Sequence, residues 1–116
     1  MAESVLKTKS YQFALEIIVV AKNLNEQREF ILSKQILRSG TAIGALIREA
    51  EFAQSRKDFI SKLSIALKEA NETEYWLSLL ADSNYLEKEP HTKLSNEVLE
   101  LIKLLVSSIR TSKSKL

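Results

Sequence analysis

Apolar residues return along this chain at intervals of three and four, the spacing that keeps them on one face of a helix. Phe13, Ile17, Val20 and Leu24 form such a seam. It predicts a first helix over about residues 8 to 23, with Thr8 or Ser10 as its N-cap. Tyr11, Ala14, Leu15 and Ile18 run beside the seam and leave only a narrow polar strip around Gln12, Glu16 and Asn23. One buried stripe is enough for a helix in a monomeric bundle. This helix offers apolar surface on nearly two sides, which points to contact between subunits.

The polar run Asn25 to Glu29 predicts a loop. Leu32, Ile36, Ile43, Ile47 and Ala50 then share a face, and predict a second helix over about residues 31 to 54. Its middle is crowded with small residues, among them Gly40 and Gly44. A glycine destabilises a helix interior by about 1 kcal/mol relative to alanine. Two of them one turn apart predict close packing of a neighbouring helix against that spot. A phosphate-binding loop is not expected there, because no strand precedes the glycines and no phosphate-loop spacing is present.

Ser55-Arg56-Lys57-Asp58 has the form of a helix start. A third helix is expected over about residues 56 to 82, with Phe59, Leu63, Ala66, Ala70, Leu77 and Leu80 or Ala81 on its inner face. Ile65, Trp76 and Leu79 fall off that face and, with Tyr11 and Leu15, are the candidates for an oligomer interface. After a second loop at Ser83 to His91, Pro90 suits the first turn of a fourth helix over about residues 91 to 110. Leu94, Val98, Leu101, Leu105 and Ile109 line its seam, and the basic tail 111 to 116 is expected to fray. Long helices on short links favour antiparallel neighbours. The expected fold is all-α: an antiparallel up-down-up-down four-helix bundle forming a single domain.

Composition narrows the picture. The 116 residues include only two glycines and one proline, too few for sheets and long loops. With no cysteine, disulfides, thiol nucleophiles and thiolate metal sites are excluded. Met1 to Ser10 carries no apolar core of a secretory signal, and the longest apolar run, Ile17 to Ala21, is far short of a membrane span. A cytoplasmic location and no membrane partner are therefore expected.

Catalysis is not expected either. A carboxylate-bridged di-metal site in a bundle needs two Glu-x-x-His pairs, and His91 is the sole histidine. Glu49, Glu51, Glu69, Glu72 and Glu74 are better explained as a solvated, ion-paired face, Lys68 with Glu72 for example. No nucleophile motif surrounds any serine, so neither metal nor other cofactor is expected.

Net charge is only +2. Cations nevertheless gather between residues 28 and 57, where Lys34 and Arg38 lie one turn apart opposite the apolar face, Arg48 lies off to one side, and Arg56 and Lys57 mark the third helix start. Repeated around a ring of subunits, such a patch becomes a positive surface able to meet phosphates; in a single copy a solubilising face is the better reading.

The central residues carry a resemblance. Gln35-Ile36-Leu37-Arg38-Ser39, Thr41-Ala42-Ile43, Ile47 and Glu49, then Asp58-Phe59, Leu63, Ile65-Ala66 and Glu72, resemble the bacterial 23S rRNA intervening-sequence protein family. The similarity reaches Tyr11 and Ala14 in the first helix and Asn84-Tyr85-Leu86 in the second loop. One branch of that family resembles the accessory variability protein of diversity-generating retroelements, but is typically far more basic than this chain. Two segments depart from the pattern: Asn-Ile-Ala-Glu-Gly stands here as Leu46-Ile47-Arg48-Glu49-Ala50, and Gly-Ser as Lys68-Glu69, which suggests a distinct subfamily. The resemblance implies an antiparallel four-helix bundle, assembly as a barrel-like homopentamer, and a link to RNA. The alternative expectation is a scaffold that binds a partner protein and no nucleic acid.

Overall fold

A computed structural model describes residues 2–116, with side chains described from Val5 onward; Met1, part of the stretch tested for a secretory signal, lies outside them. Four helices follow one another: α1 (Ala2–Glu26), α2 (Phe30–Glu51), α3 (Arg56–Asp82) and α4 (Lys88–Lys113). Consecutive helices pack together and α1 closes the ring on α4, while diagonal pairs do not meet. The molecule is an antiparallel four-helix bundle of 47 × 21 × 19 Å, its length set by helices of 22 to 27 residues.

The seams named above meet in one core. Phe13, Ile17 and Leu24 of α1 face Ile36 and Ile43 of α2, Leu63, Leu77 and Leu80 of α3, and Val98, Leu101 and Leu105 of α4. Burying each such side chain stabilises the fold by roughly 1.5–3 kcal/mol. Hydroxyls stitch the helices where the core is narrow. Ser33 Oγ donates to the Ala21 carbonyl at 3.0 Å, and the buried Ser39 and Thr73 hydroxyls bond each other at 2.9 Å.

Helix ends differ from the expectations by more than one residue in five places, one of them the end of α1, which runs on to Glu26 instead of stopping at residue 23. α1 begins at Ala2 rather than near residue 8, so neither Thr8 nor Ser10 is a cap. Ser10 is wholly buried in mid-helix, its hydroxyl donating to the Lys7 carbonyl, and Leu6 extends the core seam one turn upstream of it. α2 ends at Glu51 rather than residue 54. α4 starts at Lys88, three residues before the expected position, with Pro90 in its first turn. It continues to Lys113, so the tail is not frayed from residue 111: Ser112 is buried against the bundle.

The connections are closed by hydrogen bonds. Arg28 (φ 64°) and Asn84 (φ 67°) adopt the left-handed conformation just past α1 and α3. At the first, Glu29 N–H reaches the Leu24 carbonyl (2.8 Å) and Arg28 N–H that of Asn25 (2.9 Å); Tyr85 and Asn84 repeat the pattern on Leu80 and Ala81. Both are Schellman caps. Glu29 then caps α2 by accepting from Ile31 and Leu32 N–H. Ser55 caps α3 by accepting from Asp58 N–H at 3.0 Å, as the sequence predicted, while Asp58 accepts from Gln54 N–H.

Gly40 and Gly44 sit where α1 and α2 come closest. A Cβ on Gly40 would lie 2.8 Å from the Ile17 side chain, and one on Gly44 would lie 3.3 Å from Ser10 Oγ. The close approach expected of this pair is present.

Candidate nucleic-acid interface

Along α2, Lys34, Arg38 and Arg48 all point away from the core and are exposed. At 100° per residue the three fall within an arc of about 80°, with Arg38 turned toward α3 and Arg48 toward α1. Lys34 and Arg48 stand about 21 Å apart along the axis. Arg48 therefore belongs to the same outward stripe as Lys34, whereas the sequence reading set it to one side.

Their surroundings differ. The Arg38 guanidinium bonds Glu69 at 3.2 Å and also Glu72, both on α3. Glu72 accepts a further hydrogen bond from Trp76 Nε1 at 2.9 Å. The indole N–H first, and the guanidinium second, hold the Glu72 carboxyl below its ordinary range. The bond that Arg38 donates to Glu72 in turn raises the guanidinium above its ordinary value. One cation thus faces two carboxylates, and its charge is already balanced within the chain. Glu72 pairs with Arg38 across the helices, in place of the expected partner Lys68.

Arg48 instead lies over the Tyr11 ring, 5.5 Å from its centre. Lys34, Arg48, Arg56 and Lys57 take part in no ion pair among the described residues. Arg56 and Lys57 are exposed in the first turn of α3, at the positive end of its dipole, with Asp58 beside them tied to Lys62.

The five interface candidates fall on two surfaces. Tyr11 and Leu15 are exposed on the outer face of α1. Ile65 and Leu79 are exposed on the flank of α3 next to α2, and Trp76 between them is only half-exposed, packed against the core. α1 and α3 do not touch, so α2 and its cations lie between the two patches. Three strongly exposed apolar side chains were missed: Val19 at 66%, Ile31 at 75% and Phe52 at 83%. Val19 continues the Tyr11–Leu15 face. Its signal was present, as an apolar residue opposite Phe13 and Ile17 on the helical wheel.

A further cluster was not anticipated. Glu16 of α1 and Glu97 of α4 share Lys93, which pairs with both, at 2.9 Å to Glu97. Burial pushes the Glu97 carboxyl up, and its hydrogen bond with Glu16 pushes further than Lys93 can offset. Burial acts the same way on Glu16, but the bonds from Glu97 and Lys93 outweigh it and its value is lowered. The two carboxyls are thus shifted in opposite directions, Glu97 up and Glu16 down.

Among the described residues, no group of three or more His, Cys, Asp or Glu side chains is placed to hold a metal ion. No described helix is long and apolar enough to cross a membrane.

Residues 3–107 match the family model of the 23S rRNA-intervening sequence proteins. The fold is similar to the crystal structure of a protein of unknown function from the S23 ribosomal protein family of Bacteroides thetaiotaomicron VPI-5482. The TM-score is 0.92 at 58% identity, covering 95% of this chain and 99% of that one. No curated protein matches the chain.

Proposed function

Since the chain belongs to the 23S rRNA-intervening sequence protein family, we propose that it is a non-enzymatic, cytoplasmic, homo-oligomeric bundle that associates with RNA through phosphate contacts. The observation that carries this reading is the set of exposed, internally uncompensated cations Lys34, Arg48, Arg56 and Lys57. A net charge of +2 gives one copy little affinity for a polyanion. A ring of copies, five in the arrangement that the family resemblance implies, multiplies the same four cations and makes the attraction additive. Arg38 contributes less, because a phosphate would have to displace Glu69 and Glu72.

Titration of the protein with a structured RNA at increasing salt tests the proposal. Affinity should fall linearly on a log–log plot, and each of Lys34→Ala and Arg48→Ala should reduce the slope by roughly 1 per copy in contact. Arg38→Ala should change the slope less than either. Undetectable binding at low salt, or slopes unmoved by Lys34→Ala and Arg48→Ala, would defeat the reading.

The exposed apolar face at Tyr11, Leu15 and Val19 favours a second reading, a scaffold that binds a partner protein. Gentle purification separates the two: co-purifying RNA supports the first, and a stoichiometric protein free of nucleic acid the second.

A further inference from the structure

The net charge of +2 hides a separation of charge along the bundle. The start of α1, the α2–α3 turn and the end of α4 share one end of the molecule. Within a turn of that end stand Arg48, Arg56, Lys57, Arg110, Lys113 and Lys115, all exposed. None of them has an ion-pair partner among the described residues. The acids there are mostly neutralised: Glu51 pairs with Lys7 at 3.2 Å and Asp58 with Lys62 at 3.1 Å, which leaves Glu49 among the described side chains. Within a turn of the opposite end the balance reverses, and Glu26, Glu29, Asp82, Glu87 and Glu89 outnumber Arg28 and Lys88.

Helix stability accounts for only some of the basic end. Arg48, Arg110 and Lys113 lie in the last turns of α2 and α4, where a cation suits the helix dipole. Arg56 and Lys57 lie in the first turn of α3, where a cation opposes it. Between them and α2 stands Phe52, the most exposed large apolar side chain among the described residues. Its backbone is pinned as the C-cap of α2, the N–H reaching the Glu49 carbonyl at 3.0 Å, while its ring faces water. Its chain neighbours Glu51, Ala53 and Gln54 are acidic, small or polar, so the ring stands alone. A lipid surface or a protein partner calls for a wider apolar patch. One flat ring among unpaired cations instead has the make-up of a platform for a nucleic-acid base, with phosphates taken by the cations. A duplex keeps its bases stacked on each other and offers such a ring no face.

We propose that this end of the bundle receives unpaired nucleotides of an RNA, one base stacked on Phe52 and the adjoining phosphates held by Arg56 and Lys57. The inference rests on the RNA reading above and narrows it to single-stranded segments.

Fluorescence-anisotropy titration of the full chain tests it, using a labelled unpaired RNA of about twelve nucleotides and the same sequence as a duplex. At equal salt the unpaired strand should bind at least about fivefold tighter. Phe52→Ala should weaken the unpaired strand by about tenfold and leave the duplex unchanged, whereas Phe52→Trp should keep the parental affinity. Arg56→Gln with Lys57→Gln should lower the salt slope for the strand by roughly 1–1.5. All three positions are exposed, so circular dichroism and light scattering of each variant should match the parent. A duplex bound as tightly as the strand, or a strand affinity indifferent to Phe52→Ala, would overturn the inference. So would a smaller assembly for Phe52→Ala, which would make the ring a contact between copies, or Phe52-dependent binding of phosphatidylserine vesicles in place of RNA. RNA binding that needs Lys34 and Arg48 but not Phe52 would sink this surface and leave the RNA reading standing. Failure of both RNA forms to bind at low salt would remove the two together.

Discussion

Gly40 and Gly44 occupy equivalent turns of one helix, yet the atoms opposite them predict opposite outcomes. A methyl group at residue 40 would press on the branched side chain of Ile17, which is fully buried and has nowhere to move. Overpacking of that kind costs about 1–3 kcal/mol, more than the roughly 1 kcal/mol that alanine gains in helix propensity. Gly40→Ala should therefore lower the urea midpoint. At residue 44 the nearest atoms are Ser10 Oγ at 3.3 Å and Ser10 backbone at 3.5 Å, close to ordinary contact, so Gly44→Ala should be neutral or slightly stabilising. Equal destabilisation by both would contradict this account of the α1–α2 contact. The spacing of the glycines made the close approach legible in the sequence. Which glycine is indispensable was not, because that depends on the register of α1 against α2. Arg28 carries a related prediction. Its left-handed backbone is unfavourable for a side chain with a Cβ, so Arg28→Gly should stabilise the protein by about 0.5–1 kcal/mol, read from the same midpoint.

Among the helices, the seams were legible and the ends were not. A periodic run of leucines, isoleucines and valines defines a face wherever it occurs. A serine or threonine has two readings, cap or buried hydroxyl, and the neighbouring helix decides between them. Ser55 caps α3, but Ser10 is buried at the tight α1–α2 crossing and Ser112 against the far end of the bundle. For the same reason the Glu16–Glu97 pair was invisible: its members lie 81 positions apart, and each alone looks like a surface charge. The α1–α4 seam they occupy is the thinnest of the four, so its electrostatics should register in stability. Glu97 titrates higher in the fold than in the unfolded chain. Its contribution is complete below its unfolded value and is lost as pH rises through the folded one. Glu16 is shifted down, so its contribution holds above the unfolded value and disappears as pH falls through the lowered one. The seam is then strongest at weakly acidic pH, with Glu97 protonated and Glu16 ionised. Thermal midpoints should rise modestly on moving from neutral into that window. Glu97→Gln, a permanent stand-in for the protonated acid, should abolish the rise and exceed the parent at neutral pH by about 0.5 kcal/mol. A midpoint insensitive to the substitution would mean that Lys93 fully neutralises the pair.

For the whole molecule, charge and hydrophobicity divide the outer surface in a way that composition conceals. Counting lysines and arginines found the cations, but only packing showed that Arg38 is spent on Glu69 and Glu72 while Lys34 and Arg48 are not. Apolar excess on α1 was legible because Tyr11 and Leu15 lie outside the seam. The structure adds Val19 to that face and places Ile65 and Leu79 on a separate flank beyond α2. Two patches on one subunit, separated by a helix, suit head-to-tail contact in a closed ring, in which one patch meets the other on the next copy. An isologous dimer would require only one of them. Leu15→Glu combined with Val19→Glu changes exposed side chains, so the folded subunit should keep its helicity and thermal midpoint within about 0.5 kcal/mol. The assembly should not survive it. Multi-angle light scattering should report a multiple of 13.2 kDa for the parent and a single chain for the double variant. Ile65→Glu with Leu79→Glu should give the same result if the ring is head-to-tail. If only the α1 pair dissociates the protein, the contact is isologous through α1, and the cations would then be arranged in two copies rather than around a ring. A parent that is monomeric at micromolar concentration would remove the multiplication of charge on which RNA association rests.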